Sequence, residues 1–185
     1  QKLFKEGVYF ISCLTMKKNE NSDMSAVLSG QQKEALYKKA MREIGERLST
    51  LEKGIVIPRM ATVAAVLREN LPYYLWCGFY FAEESEMIVG PYQGTSACPN
   101  IAYTGVCGTS AKKKKTVIVP DVHKFPGHIV CDARSNSEIV VPLLDEQGRL
   151  IAVFDVDSAQ HNAFDEIDKK YLEKIMPVLL DEEMN

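Results

Sequence analysis

No stretch of this 185-residue sequence stays apolar for the roughly 20 residues that a bilayer-spanning helix needs, and its most apolar runs are strand-length. A membrane protein is therefore not expected, and a soluble chain in the cytoplasm is. Neither sign of charge is in excess, with 22 Lys and Arg against 25 Asp and Glu, so nothing marks a nucleic-acid binder. Cysteine is sparse: five residues, an odd number, without a CxxC pair. That excludes a disulfide-dense secreted scaffold and offers no tight structural zinc pattern. Internal repeats and low-complexity linkers are also missing. What remains, 46% hydrophobic and 25% charged residues, suffices for one domain with an ordinary core. Residues 1–24 carry only a short, weakly patterned apolar run, VYFISCL, and are read as a processed or flexible tail ahead of a domain at 25–185.

From Gln31 the apolar residues Leu36, Ala40, Ile44 and Leu48 recur every four positions, with Tyr37 and Met41 beside them, which predicts an amphipathic helix. A second helix is predicted from Pro58, tolerated in a first turn, through Met60, Val63, Ala64, Leu67 and Leu71 to Pro72. Six short β-rich runs follow between Trp76 and Ser158, separated by Gly, Pro and Asp turns. The segment DEQG joins the last two as a hairpin, with Gly148 free to take a positive φ. Asp165 then caps a final helix that buries Ile167, Tyr171, Leu172, Ile175 and Leu179. Two helices, about six strands and one helix give an α+β fold, a mainly antiparallel sheet with helices packed on one face.

Chemistry concentrates in the loops. Cys98, Cys107 and Cys131 lie in or beside Gly-containing irregular segments, where thiols can be partly exposed. Cys107, in TGVCGTSA, sits at the expected start of a short helix, whose free N–H groups favour a thiolate. The plain alternative is that each is a small core residue, and for Cys77, inside a strand, that reading is preferred. His123, His128 and Cys131 cluster in sequence but lack zinc spacing, so no metal is expected and the histidines are read as orienting their loop. In VFDVDS, strand alternation puts Asp155 and Asp157 on one side with Val153 behind them. Either carboxylate can cap the following turn. Alternatively the pair holds a cation or shares a proton, with Glu138 on the neighbouring strand completing the cluster. Trp76 and Tyr80 alternate onto one face of LWCGFYF, away from Cys77, Phe79 and Phe81, as an aromatic wall or as ordinary core.

The motifs WCGFY, GPYQGTSAC, GVCGTSA, VPDVHKFPGHIVCDARSNSEIVVPL and GRLIAVFDVDS together resemble the free methionine-R-sulfoxide reductases, single GAF domains, over about residues 31–181. The resemblance implies a thioredoxin-dependent reduction of free methionine sulfoxide that needs no cofactor. It makes Cys131 the nucleophile, Cys98 the principal resolving cysteine and Cys107 a third exchanging thiol. It also makes Glu138, Asp155 and Asp157 the carboxylates that bind the sulfoxide and amino group, with Glu138 or Asp157 as proton donor. Trp76 and Tyr80 then box the substrate methyl. Assembly as a homodimer is left open. Two readings from another class stand beside it: a GAF module that binds a small ligand without chemistry, and a redox sensor signalling through a Cys98–Cys131 disulfide.

Overall fold

The computed structural model describes residues 28–180; the tail read at 1–24 lies outside them. Helix α1 (Gly30–Leu48) opens with Ser29, whose hydroxyl accepts from the Gln32 amide while the Gln32 side chain accepts from the Ser29 amide. This reciprocal pairing satisfies two of the amide groups left free at a helix start. Ala40, Ile44 and Leu48 are buried as the spacing predicts, with Tyr37 in place of Leu36, which is half-buried, and the stripe continues back to Lys33. Helix α2 (Val56–Asn70) starts two residues before Pro58 and ends just ahead of Pro72.

Among the described residues the six strands are β1 (Trp76–Ala82), β2 (Glu86–Gln93), β3 (Asn100–Ala102), β4 (Val117–Val119), β5 (Ser137–Leu144) and β6 (Leu150–Ser158). They pair antiparallel throughout in the order β3-β2-β1-β6-β5-β4. The hairpin between β5 and β6 turns through Gly148 at φ 71°, a region that only glycine enters freely. Helix α3 (Gly105–Lys113) connects β3 at one edge of the sheet to β4 at the other, so the chain must cross the sheet's whole width there. Asp165 caps α4 (Glu166–Ile175), and a short 3-10 segment, Met176–Leu180, follows.

Strand alternation divides the sheet into two faces. Cys77, Phe79, Ile139, Val141, Phe154 and Val156 pack beneath α1, α2 and α4 in the main core. The three long helices therefore cover one face, as expected, and Cys77 is a core residue there. The other face carries Trp76, Tyr80, Val140 and Val153, and α3 covers part of it with Val106, Cys107 and Ala111. This second face carries the site.

The main core holds one feature that hydrophobic periodicity conceals. The Lys33 ammonium is 1% exposed and donates to Asp165 at 2.8 Å, to the Ala163 carbonyl at 2.7 Å and to Asp168. Asp168, fully buried, also accepts from Tyr37 and Tyr73. The ion pair thus pins α1 to the start of α4. Lys33→Met keeps the length of the side chain but leaves Asp168 without its cation. Breaking a buried pair on one side typically costs about 3–5 kcal/mol. A loss of that size is expected in the urea unfolding free energy, and a change under about 1 kcal/mol would show that the pair is not structural.

Candidate active site

Antiparallel register brings the acidic residues together. On the face opposite the main core, Asp157 of β6 lies between Trp76 of β1 and Glu138 of β5, and Asp155 lies between Gly78 and Val140. Gly78 is required there by space: a Cβ on it would fall 2.3 Å from the Cβ of Tyr92 and 2.6 Å from the Trp76 ring. The Trp76 ring instead lies across the strand, with Tyr92 stacked at 5.6 Å and Tyr80 at 6.0 Å. The Trp76 Nε1–H is buried without an acceptor among the described residues, a donor free for a bound molecule.

Two loops close over this floor. The loop after β2 carries Cys98, and the loop before β5 carries Cys131. The two cysteines form a disulfide, with their Cα atoms 5.6 Å apart. The Tyr80 hydroxyl donates to the Cys98 carbonyl at 3.2 Å, tying the aromatic wall to the first loop. A polar clamp joins the loops a second time. Thr95 donates its hydroxyl to Asp132 at 2.9 Å, and Arg134 donates to Asp132 and to Thr95. The Arg134 guanidinium holds the Asp132 carboxyl well below the usual carboxylate range. Among the histidines, His123 Nε2 meets Asn136 Oδ1 at 3.1 Å, the orienting role read for it. His128 turns inward instead, its Nδ1 3.6 Å from Glu138 Oε2.

Cys107 departs from expectation. Its thiol is buried and lies 3.8 Å from Glu138 Oε1. Because α3 lies flat across the sheet, its first turn faces the carboxyl cluster rather than solvent. Burial, then the nearby Asp155, Glu138 and Asp157, push the thiol well above its ordinary range, so the thiolate expected at this helix start is not favoured. The same burial raises Glu138 and Asp155 well above the usual carboxylate range, with Asp157 adding to each as a like charge. Burial brings Asp157 up only to about 6. Glu138 and Asp155 are thus held toward the protonated form while Asp157 ionises more readily, a division of roles suited to acid catalysis and cation binding on one floor.

The structure brings Cys107, Cys131, Glu138, Asp155, Asp157, Trp76 and Tyr80 together around this floor, with Cys98 joined to them through its disulfide to Cys131, and Cys107, Cys131, Glu138, Asp155, Asp157 and Tyr80 line one pocket. With the disulfide formed, the free space in it is about 30 Å³. That is room for a few water molecules but not for an amino acid. For a metal, Cys107, Glu138 and Asp155 offer one sulfur and two oxygens, all within 4.8 Å of one another. The His123, His128 and Cys131 grouping does not supply such a set, because Cys131 is used by the disulfide. Sequence reasoning missed the Thr95–Asp132–Arg134 clamp. The neighbouring Asp132 and Arg134 signalled a local turn, but nothing local pointed to Thr95, 37 residues away from Asp132.

Residues 59–178 match the model of the GAF domain family. GAF domain-containing protein A of Dictyostelium discoideum is 47% identical over 154 residues, 82% of this chain and 95% of that one. The free methionine-R-sulfoxide reductase of Escherichia coli is 40% identical over 121 residues, 65% of this chain and 73% of that one. The crystal structure of free methionine-R-sulfoxide reductase from Neisseria meningitidis in complex with its substrate superposes with a TM-score of 0.75 at 36% identity, covering 85% of this chain and 95% of that one. With this sheet order, this loop disulfide and this carboxyl floor, the chain belongs to the GAF domain family and, within it, to the free methionine-R-sulfoxide reductases.

Proposed function

We propose that this protein reduces free L-methionine (R)-sulfoxide to L-methionine in the cytoplasm, with thioredoxin as reductant. One observation carries the reading: a redox-capable cysteine pair is suspended directly over a buried floor of three carboxyls beside a tryptophan–tyrosine wall. In the reduced enzyme the Cys131 thiolate attacks the sulfoxide sulfur while Glu138 gives its proton to the sulfoxide oxygen. The attack joins the two sulfurs; the protonated oxygen then passes from the substrate sulfur to Cys131 Sγ as the old S–O bond and the new S–S bond break, so that methionine leaves and Cys131 is left as a sulfenic acid. The Cys98 thiol then displaces that oxygen as water and forms the disulfide. Two thioredoxin thiols reopen the bond, restoring both cysteines and supplying the two electrons the substrate consumed. Cys107 is close enough to the floor to serve as a reserve thiol once the loops move.

Trp76 and Tyr80 are assigned to the substrate's methylthio end, and Asp155 with ionised Asp157 to its ammonium. This assignment sets the selectivity test. An acetylated nitrogen carries no positive charge, and losing one charge-assisted contact typically costs about 1.5–3 kcal/mol. N-acetylmethionine sulfoxide is therefore expected to have a specificity constant at least about tenfold lower than the free amino acid, since roughly 1.4 kcal/mol is already tenfold. Thioredoxin-coupled assays with separate R and S sulfoxides, free and acetylated, measure it. Equal rates on free and acetylated R-sulfoxide would overturn the ammonium role. A sensor using the same disulfide would form it without steady release of methionine, so release of many equivalents per protein separates the two readings.

A further inference from the structure

Beneath the disulfide, a thiol and two carboxyls converge from three different elements: Cys107 from α3, Glu138 from β5 and Asp155 from β6. Their ligand atoms lie within 4.8 Å of one another, and all three residues are buried. Cys107 Sγ stands 3.8 Å from Glu138 Oε1. Around a tetrahedral zinc ion, with Zn–S near 2.3 Å and Zn–O near 2.0 Å, a sulfur and an oxygen ligand sit about 3.5 Å apart. Closing this pair onto an ion therefore takes only a small side-chain shift.

A second observation points the same way. Asp155 is 7% exposed, and its Oδ1 is buried with no hydrogen-bond partner among the described residues. An unpaired buried acceptor is costly, and a cation removes that cost. The pocket's free space of about 30 Å³ in the disulfide form excludes an amino acid but admits an ion. Water can take a fourth position, and His128 Nδ1, 3.6 Å from the second Glu138 oxygen, stands beside the site as a neighbour of that carboxyl. A thiolate with two carboxylates is a ligand set that suits zinc and not magnesium or calcium, which take oxygen ligands alone.

We infer that Cys107, Glu138 and Asp155 form a binding site for a thiophilic divalent cation of the zinc type. Binding is a proton exchange without redox change: the thiol and the protonated carboxyls release protons to solvent as the metal–ligand bonds form. The ion takes the carboxyls assigned above to substrate, so it and free methionine exclude each other. That second half rests on the proposed function; the site itself does not.

Cobalt(II) alone is the probe, because a thiolate ligand gives it a near-ultraviolet charge-transfer band. The disulfide form of a Cys13→Ser variant is titrated, which removes Cys13, Cys98 and Cys131 as ligands, while Cys77 is sealed in the main core. A saturable band at one equivalent is expected, bleached by added zinc. Cys107→Ser should lose the band. Glu138→Gln and Asp155→Asn should each weaken cobalt binding at least about tenfold, the loss that even an outer-shell partner can cause. No saturable band, or one that survives Cys107→Ser, overturns the site. In a Cys13→Ser variant that also carries Cys98→Ser and Cys131→Ser, where the loops are not cross-linked, free methionine should weaken cobalt binding. Binding indifferent to methionine would overturn the mutual exclusion and leave the cation site standing.

Discussion

Cys131→Ser is expected to abolish even a single turnover, by a factor of at least about a thousand, because a serine hydroxyl stays protonated at neutral pH and is a poor nucleophile where a thiolate is a strong one. The geometry makes this specific to Cys131. Of the thiols around the pocket, Cys107 is buried among carboxyls that hold it protonated, and Cys98 hangs on the opposite loop, its carbonyl held by Tyr80. Cys98→Ser should behave differently: one equivalent of methionine in a burst, then loss of most thioredoxin-supported cycling, since the sulfenic acid forms but is not resolved efficiently. Rapid-quench measurement of methionine released per enzyme distinguishes the two variants. A wild-type burst from Cys131→Ser would remove it as nucleophile. Burst and cycling falling together in Cys98→Ser would show that this residue does more than resolve.

Glu138→Gln is expected to slow the chemical step by on the order of 100-fold to 10,000-fold, the range typical of losing a positioned general acid. Burial first, then the neighbouring Asp155 and Asp157 carboxyls, push the Glu138 carboxyl well above the usual range. The sign of the pH dependence follows. In the wild type the single-turnover rate should fall as pH rises through this elevated pKa, because the proton to be donated is lost. In Glu138→Gln that alkaline limb should disappear, since an amide has no such proton to give. Asp157, brought only to about 6 by burial, acts in the other direction. Its charge appears as pH rises through that value, so the apparent KM for the ammonium-bearing substrate should drop there. An unchanged alkaline limb in Glu138→Gln would transfer the acid role to another group.

The local periodicities of the chain determined most of its elements. Apolar residues four apart mark α1, α2 and α4, and alternation along WCGFYF and VFDVDS sends Trp76, Tyr80, Asp155 and Asp157 to one face and Cys77 and Phe79 to the other. Period and side-chain direction are short-range properties, and so they are legible in a single strand or helix. The ordered motifs around Cys98, Cys107, Cys131 and Glu138 carried the family as well.

Register and layer were decided only in three dimensions. Placing Trp76, Asp157 and Glu138 side by side depends on how three strands slide against one another. No one strand encodes that offset. Lys33 continues the Tyr37 stripe, yet its residue type argues for solvent; it is buried because α4, more than 130 residues later in the chain, brings Asp168 to meet it. Cys107 likewise starts its helix in a Gly-rich turn that reads as open. The walk of α3 from one sheet edge to the other turns that end inward, where desolvation and three carboxyls outweigh the helix's free amides and hold the thiol neutral.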